Sequence, residues 1–159
     1  MLTIKAAASL LMGPLRSACL SSLFILATTY SAVANTSSSA TPIPFTKGKV
    51  STTITGKLHP KQNEHWYQFN ADSYQYAIIN LSPLAGTTET ANVGVLYMPN
   101  GQQDGNKGGI IYQGCLPTNG TYHLRIARNL MATEGQTAGY RAEIIILPKY
   151  ASESLCQYL

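Results

Sequence analysis

Residues 116–126 combine a turn with a strand and give the strongest indication of the fold: Leu116-Pro117-Thr118-Asn119-Gly120-Thr121-Tyr122-His123-Leu124-Arg125-Ile126. The first half of this stretch predicts a tight turn, because proline fixes φ and both glycine and asparagine accept positive φ. Its second half alternates between apolar and polar residues, and a period of two predicts a strand with one buried face. A rigid turn that leads into a strand is a natural place for a binding tip.

Other segments have the same strand character, with β-branched or aromatic residues bounded by glycine, proline or asparagine. They are residues 50–55, 65–71, 75–81, 92–98, 110–113 and 140–147. Residues 102–109 and 129–139 are predicted to be polar loops. The chain lacks a sustained 3.6-residue apolar period with helix caps. The sequence therefore predicts an all-β fold, an antiparallel β-sandwich of seven or eight strands in a single domain.

The N-terminal 34 residues have the pattern of a secretory signal peptide. Lys5 and Arg16 make the leader positive, residues 18–29 are largely apolar, and Ala32-Val33-Ala34 is a small-residue cleavage signal. A retained membrane anchor is the alternative, but the apolar stretch falls short of about 20 apolar residues. We therefore expect cleavage near Ala34 and a periplasmic or secreted mature protein.

The mature chain divides into a flexible linker, residues 35–47, and the sandwich domain, residues 48–159. The linker is predicted from its polar, proline-containing composition. Loss of the leader lowers the formal net charge from +4 to +2, because Lys5 and Arg16 leave with it. So small and unclustered a charge does not favour nucleic acid as a partner. After cleavage we also expect no membrane contact, and the sequence predicts no oligomeric state.

Two cysteines, Cys115 and Cys156, remain in the mature chain, which goes to an oxidising compartment. They allow one intramolecular disulfide, which stabilises the fold by about 4 kcal/mol on the chain-entropy model. Such a bridge fastens the C-terminal tail beside the turn, because Cys115 directly precedes Leu116. Free or intermolecular thiols remain the alternative.

Residues suited to catalysis or metal binding are scarce. The histidines His59, His65 and His123 are isolated, so the sequence predicts neither a metal site nor a cofactor. The carboxylates are scattered, and motifs for a nucleophile elbow, a phosphate loop or a zinc helix are absent from the sequence. We therefore predict that the protein is not an enzyme and has no catalytic residues.

Aromatic residues provide a different signal, because a secreted β domain with many tyrosines can bind carbohydrate by stacking. Strand alternation places Tyr67, Tyr122 and Tyr140 in the core. Trp66 falls on the opposite side of its strand and is the candidate for a glycan contact.

A set of short motifs occurs along the chain in a fixed order. They are Ile54-Thr55-Gly56, Trp66-Tyr67-Gln68-Phe69-Asn70-Ala71, Met98-Pro99-Asn100-Gly101, the stretch quoted first, and Gly139-Tyr140. Together they resemble the bacterial pre-peptidase C-terminal type of β-sandwich. The leader, the single small domain and the Leu-Pro-x-x-Gly-x-Tyr-x-Leu-Arg stretch are similar to the periplasmic inhibitors of lysozyme, most closely the goose-type (g-type) inhibitors.

The resemblance implies a mechanism in which a Ser-Gly-x-Tyr type loop enters the lysozyme cleft and occupies the place of the glycan. The matching residues are Asn119, Gly120, Thr121 and Tyr122, followed by Arg125 in the strand. Asn119 stands where the family has serine, although its amide still offers a donor and an acceptor. Tyr122 has two interpretations, a core residue that braces the turn or a contact residue.

The resemblance thus implies an exported inhibitor that protects peptidoglycan, with lysozyme as its protein partner; g-type lysozyme is favoured, with invertebrate-type (i-type) lysozyme next. Two alternatives remain open. One is a secreted glycan-binding module that uses Trp66, and the other is an immunity protein against a toxin that degrades peptidoglycan.

Overall fold

Strands account for most of the part of the chain that the computed structural model describes, residues 39–157. The predicted signal peptide and residues 35–38 of the predicted linker lie outside these residues. The strands are β1 (Thr41–Pro42), β2 (Ser51–Leu58), β3 (Glu64–Ala71), β4 (Tyr76–Pro83), β5 (Glu89–Thr90), β6 (Val93–Tyr97), β7 (Gln103–Lys107), β8 (Gly109–Cys115), β9 (Gly120–Ala127) and β10 (Ala138–Ile146). One short helix, α1 (Lys149–Ser152), follows them.

The strands form two sheets that enclose one hydrophobic core, which confirms the predicted β-sandwich. The strand order is β1-β3-β9-β6-β7 in the first sheet and β2-β10-β4-β8 in the second, where β5 also pairs with β10. Only β1 and β5, of two residues each, run parallel to their neighbours. Without these two, the described strands number eight, as predicted.

Strand β9 has the predicted alternation. Tyr122, Leu124 and Ile126 are fully buried in the core, and each such side chain contributes roughly 1.5–3 kcal/mol to stability. Thr121, His123 and Arg125 point to the other side, which we call the outer face of the first sheet. Strands β3 and β6 flank β9 and contribute their own outward residues to this face.

Tyr140 packs across β2 in the space that Gly56 leaves. The two residues are register partners, and a Cβ at Gly56 would lie 2.1 Å from the tyrosine oxygen. Only glycine fits here, because van der Waals contact requires more than 3 Å. Tyr140 is therefore a core residue, as the alternation predicted.

Residues 102–109, predicted to be a loop, form strand β7 and the turn after it, so that prediction was wrong. All five residues of β7 are exposed, and its backbone pairs with β6 at the edge of the first sheet. An edge strand exposed on both faces has no apolar period, so its strand state is invisible to pattern reasoning.

The sandwich also begins earlier than residue 48. Strand β1 pairs with β3, Ile43 is buried, and the Ile43 N–H donates to Gln68 O over 2.8 Å. Phe45 also packs against the core. The described part of the predicted linker is therefore attached to the sandwich.

The C-terminal segment is held against the sandwich by a disulfide between Cys115 and Cys156, which confirms the predicted pairing. Helix α1 adds a second attachment: the hydroxyl of buried Ser152 accepts a hydrogen bond from Tyr76 N over 2.8 Å. Within residues 39–157, no helix is long and apolar enough to cross a membrane.

Candidate functional site

The turn before β9 is closed by the tyrosine beneath it. The Tyr122 hydroxyl donates to Thr118 O over 2.6 Å, and the ring stacks on Phe69 with centroids 5.5 Å apart. Burial raises the pKa of Tyr122, although the hydrogen bond that its hydroxyl oxygen accepts from Thr118 N opposes this, so the hydroxyl stays protonated and donates. Of its two interpretations, the structure places Tyr122 in the core, where it braces the turn.

Asn119 joins this turn to a second one, residues 72–75. Its Oδ1 accepts a hydrogen bond from Ser73 N over 2.7 Å. Gly120 follows at φ +141°, and a Cβ there would lie 3.0 Å from the Pro99 ring. Glycine is therefore required for both conformation and space. The loops 72–75, 98–102 and 116–120 meet at one end of the sandwich, which we call the Gly120 end.

Thr121 is the exposed residue that begins the outer face at the Gly120 end. Its hydroxyl donates to Asn70 Oδ1 over 2.8 Å. Asn119, Gly120 and Thr121 thus form an exposed tip whose side chains are held by neighbouring strands and turns. A tip fixed in this way loses little conformational entropy on binding.

Arg125 lies apart from this tip. It is five residues along β9 from Gly120, which corresponds to about 16 Å at the rise of a strand. Its register partner on β3 is Trp66, and Glu64 binds both side chains: Trp66 Nε1 donates to Oε1 over 2.8 Å and Arg125 Nε to Oε2 over 2.6 Å. The structure therefore places the predicted glycan contact beside a residue predicted for the inhibitory loop.

The electrostatics of this cluster follow from those contacts. Partial burial raises the pKa of the Glu64 carboxyl, but hydrogen bonds from Trp66 and Arg125 outweigh it and hold the pKa below the ordinary value. Trp66 also packs against Tyr97 of β6, with ring centroids 5.3 Å apart. Sequence reasoning missed Glu64 and Tyr97, because only the strand register brings them next to Arg125.

A shallow trough of about 530 Å³ continues from Arg125 towards the edge of the sheet. Gly105 of β7 pairs with Val95 and packs closely on β6, since a Cβ there would lie 2.7 Å from Gly94 O. Asp104, Asn106 and Lys107 line the trough with hydrogen-bonding groups. Aromatic rings beside a polar trough can bind flat, hydroxyl-rich ligands.

Residues 39–157 hold no group of three or more His, Cys, Asp or Glu side chains that could bind a metal ion. The arrangement instead offers hydrogen bonds, a fixed tip and aromatic surface, which are the means of molecular recognition.

Comparison with solved structures shows the same fold in three proteins described as periplasmic inhibitors of g-type lysozyme. PliG of Aeromonas hydrophila has 19% identity and a TM-score of 0.53, over 67% of this chain and 95% of that one. PliG of Salmonella Typhimurium has 20% identity and a TM-score of 0.53, over 67% and 96%. A mutant of Escherichia coli PliG has 23% identity and a TM-score of 0.52, over 67% and 96%.

At these identities the likeness shows the fold alone. Neither a protein-family model nor a curated protein matches the chain.

Proposed function

We propose that this protein is an exported inhibitor of lysozyme, with g-type lysozyme as the favoured target, and that it protects peptidoglycan. The observation that carries the proposal is the tip at residues 119–121. It is exposed, its turn is held by Tyr122 and Ser73, and it is borne on a sandwich of the fold seen in three PliG inhibitors. In this mechanism the tip enters the active-site cleft of the enzyme. The tip inhibits by occupying the cleft, so the mechanism requires no catalytic residue in the inhibitor.

Each residue of the tip has a defined part in this mechanism. The Oδ1 of Asn119 already accepts a hydrogen bond from Ser73 N, so its amide N–H₂ group is the one that donates a hydrogen bond to the enzyme. Gly120 lets the backbone approach closely, and Thr121 presents an exposed hydroxyl. Tyr122 acts from beneath as a positioning residue.

The experiment is a cell-wall lysis assay in which the mature protein, purified from the periplasm, is mixed with g-type, chicken-type (c-type) and i-type lysozymes. We expect inhibition of at least one class, with g-type the strongest. Undiminished lysis by all three classes at stoichiometric excess would contradict the proposal.

The role of the tip is tested by Thr121→Trp, which adds bulk at an exposed strand position. We expect inhibition to weaken at least about tenfold while the thermal midpoint stays near that of the parent. The matched control is Thr53→Trp, an exposed threonine of β2 on the second sheet, which should inhibit like the parent. Equal inhibition by Thr121→Trp and the parent would exclude the tip as the inhibitory element.

The pairing of Trp66 with Tyr97 beside the polar trough favours a second candidate function, the binding of a glycan on the outer face. Trp66 is the only tryptophan of the chain, so its fluorescence reports directly on this site. Titration with soluble peptidoglycan fragments should shift the emission, with an affinity that survives Thr121→Arg, which adds bulk at the tip without adding a second tryptophan. An unchanged spectrum at millimolar saccharide would rule this candidate out.

A further inference from the structure

Tyr74 has an unusual backbone conformation. Among residues 39–157 it is the one non-glycine residue with positive φ, at +63°. Bulky L-residues avoid this region because the Cβ crowds the following carbonyl, whereas glycine adopts it freely. The chain nevertheless places a tyrosine here, between Ser73 and Gln75.

The ring of Tyr74 does not account for this choice, since the residue is 62% exposed. The backbone alone holds the conformation: Tyr74 N donates to Leu116 O over 2.9 Å, and Leu116 N donates to Gln75 O over 2.8 Å. The folded monomer therefore bears a strained residue whose side chain remains largely in water. Strain that packing does not explain is typical of sites that bind a partner.

A second exposed tyrosine lies across a small groove. Tyr150 of α1 is 84% exposed, and the groove of about 320 Å³ between it and Tyr74 is bordered by Glu153 and by Cys156 of the disulfide. Tyrosines in such positions offer large, fairly rigid and amphipathic contact area, which is why they are frequent among the residues that dominate protein interfaces.

The groove is joined to the proposed inhibitory tip. The hydrogen bonds from Ser73 N to Asn119 and from Tyr74 N to Leu116 tie the 72–75 turn directly to the 116–120 turn. A stable protein interface buries about 800 Å² on each partner, far more than one turn presents. An enzyme that receives the tip must therefore also cover neighbouring surface.

Of the two turns that flank the tip, the 72–75 turn is the one with an aromatic side chain. The 98–102 turn on the other side has no aromatic side chain, and its polar residues Asn100 and Gln102 are hydrogen-bonded to each other. We infer that Tyr74 and Tyr150 form a second contact surface for the same lysozyme molecule that takes the tip, beside its cleft. This inference rests on the proposed function.

Because the backbone of Tyr74 is strained, one substitution can distinguish a contact role from a structural role. Tyr74→Gly removes the ring and relieves the conformation at the same time, so a contact role and a structural role predict opposite results. For a contact role we expect inhibition of lysozyme to weaken at least about tenfold while the thermal midpoint stays level or rises. Tyr74→Phe should retain most of the inhibition, because it keeps the ring.

The matched control is Met131→Ala, an apolar residue that is 94% exposed in the loop after β9, at the opposite end of the sandwich. It should inhibit like the parent. Tyr74→Gly that inhibits as well as the parent, or that loses inhibition in step with a lower thermal midpoint, overturns this inference alone. A parent protein that inhibits no lysozyme class overturns the proposed function as well.

Discussion

At the scale of single residues, three side chains show how the core satisfies buried polar atoms. The Tyr140 oxygen lies 2.5 Å from that of Tyr67 and 2.6 Å from His65 Nδ1. Burial raises the pKa of Tyr140, and the neighbouring Tyr67 adds to this, so the hydroxyl remains neutral. The neutral imidazole of His65 completes the network by pairing with the Tyr140 hydroxyl. This pairing stabilises the fold, because a buried hydroxyl without a hydrogen-bond partner would be destabilising.

This network predicts a pH dependence of stability. Burial lowers the pKa of His65, and nearby His59 lowers it further, below the ordinary 6.5. At a pH between the lowered pKa of His65 in the folded protein and its ordinary pKa in the unfolded chain, only the unfolded chain binds the proton. Stability therefore falls as the pH drops below about 6.5. Urea unfolding at pH 7.5 and pH 5.5 measures this decline in the free energy of unfolding. His65→Gln should remove this part of the decline and His123→Gln should keep it; an identical decline in both variants would refute the assignment.

At the scale of elements, a buried arginine links the loops at the end of the sandwich opposite the Gly120 end. Arg128, 4% exposed, donates to Leu58 O, His59 O and Gln62 O over 2.6, 2.7 and 2.8 Å. Its Nη1 lies 3.0 Å from a carboxylate oxygen of Glu89, which also accepts hydrogen bonds from the 133–136 loop. One side chain therefore holds loops from three parts of the chain together.

Removal of this arginine should be costly, because it leaves the Glu89 carboxylate without its cation and several backbone carbonyls without their donor. We expect Arg128→Met to lower the free energy of unfolding by about 3–5 kcal/mol in urea titration. Arg141→Met, at an exposed position of β10, is the control and should change it by less than about 0.5 kcal/mol. Similar losses in the two variants would contradict the role of Arg128.

At the scale of the whole molecule, the disulfide and the predicted leader together determine the thiol content. Cys19 falls within the predicted leader, and the other two cysteines form the bridge. We predict that protein recovered from the periplasm begins near Asn35 and has no thiol that reacts with maleimide after denaturation without reductant. Reduction should release two thiols and lower the thermal midpoint by about 10 °C or more.

Two results would contradict this prediction. A reactive thiol in the denatured, unreduced protein would show that Cys19 is retained or that the bridge is incomplete. An N-terminus at Met1 would show that the leader is not cleaved.

Much of the fold was predictable because the governing signals are local. The period of two in residues 122–126 and 140–147 predicted the buried faces of β9 and β10, and the turn before β9 followed from Pro117, Asn119 and Gly120. Strand β7 was missed because all its side chains are exposed, so only backbone pairing defines it.

The candidate site was predicted only in part. The tip residues are adjacent in sequence, so their grouping follows from the chain itself. The family resemblance grouped Arg125 with them, yet the structure places it beside Trp66 and Glu64, residues that are about 60 positions away. Tyr74 had no sequence signal, since a tyrosine in a turn does not reveal its φ.

Sequence patterns alone therefore established the sandwich class, the turn before β9 and which two cysteines could pair. The tertiary structure decided which residues stand around that turn: Tyr122 beneath it, Ser73 and Tyr74 beside it, and Trp66 with Arg125 farther along the face. The physical reason is that side-chain periodicity acts between neighbours along the chain, whereas strand register and turn-to-turn hydrogen bonds join segments distant in sequence.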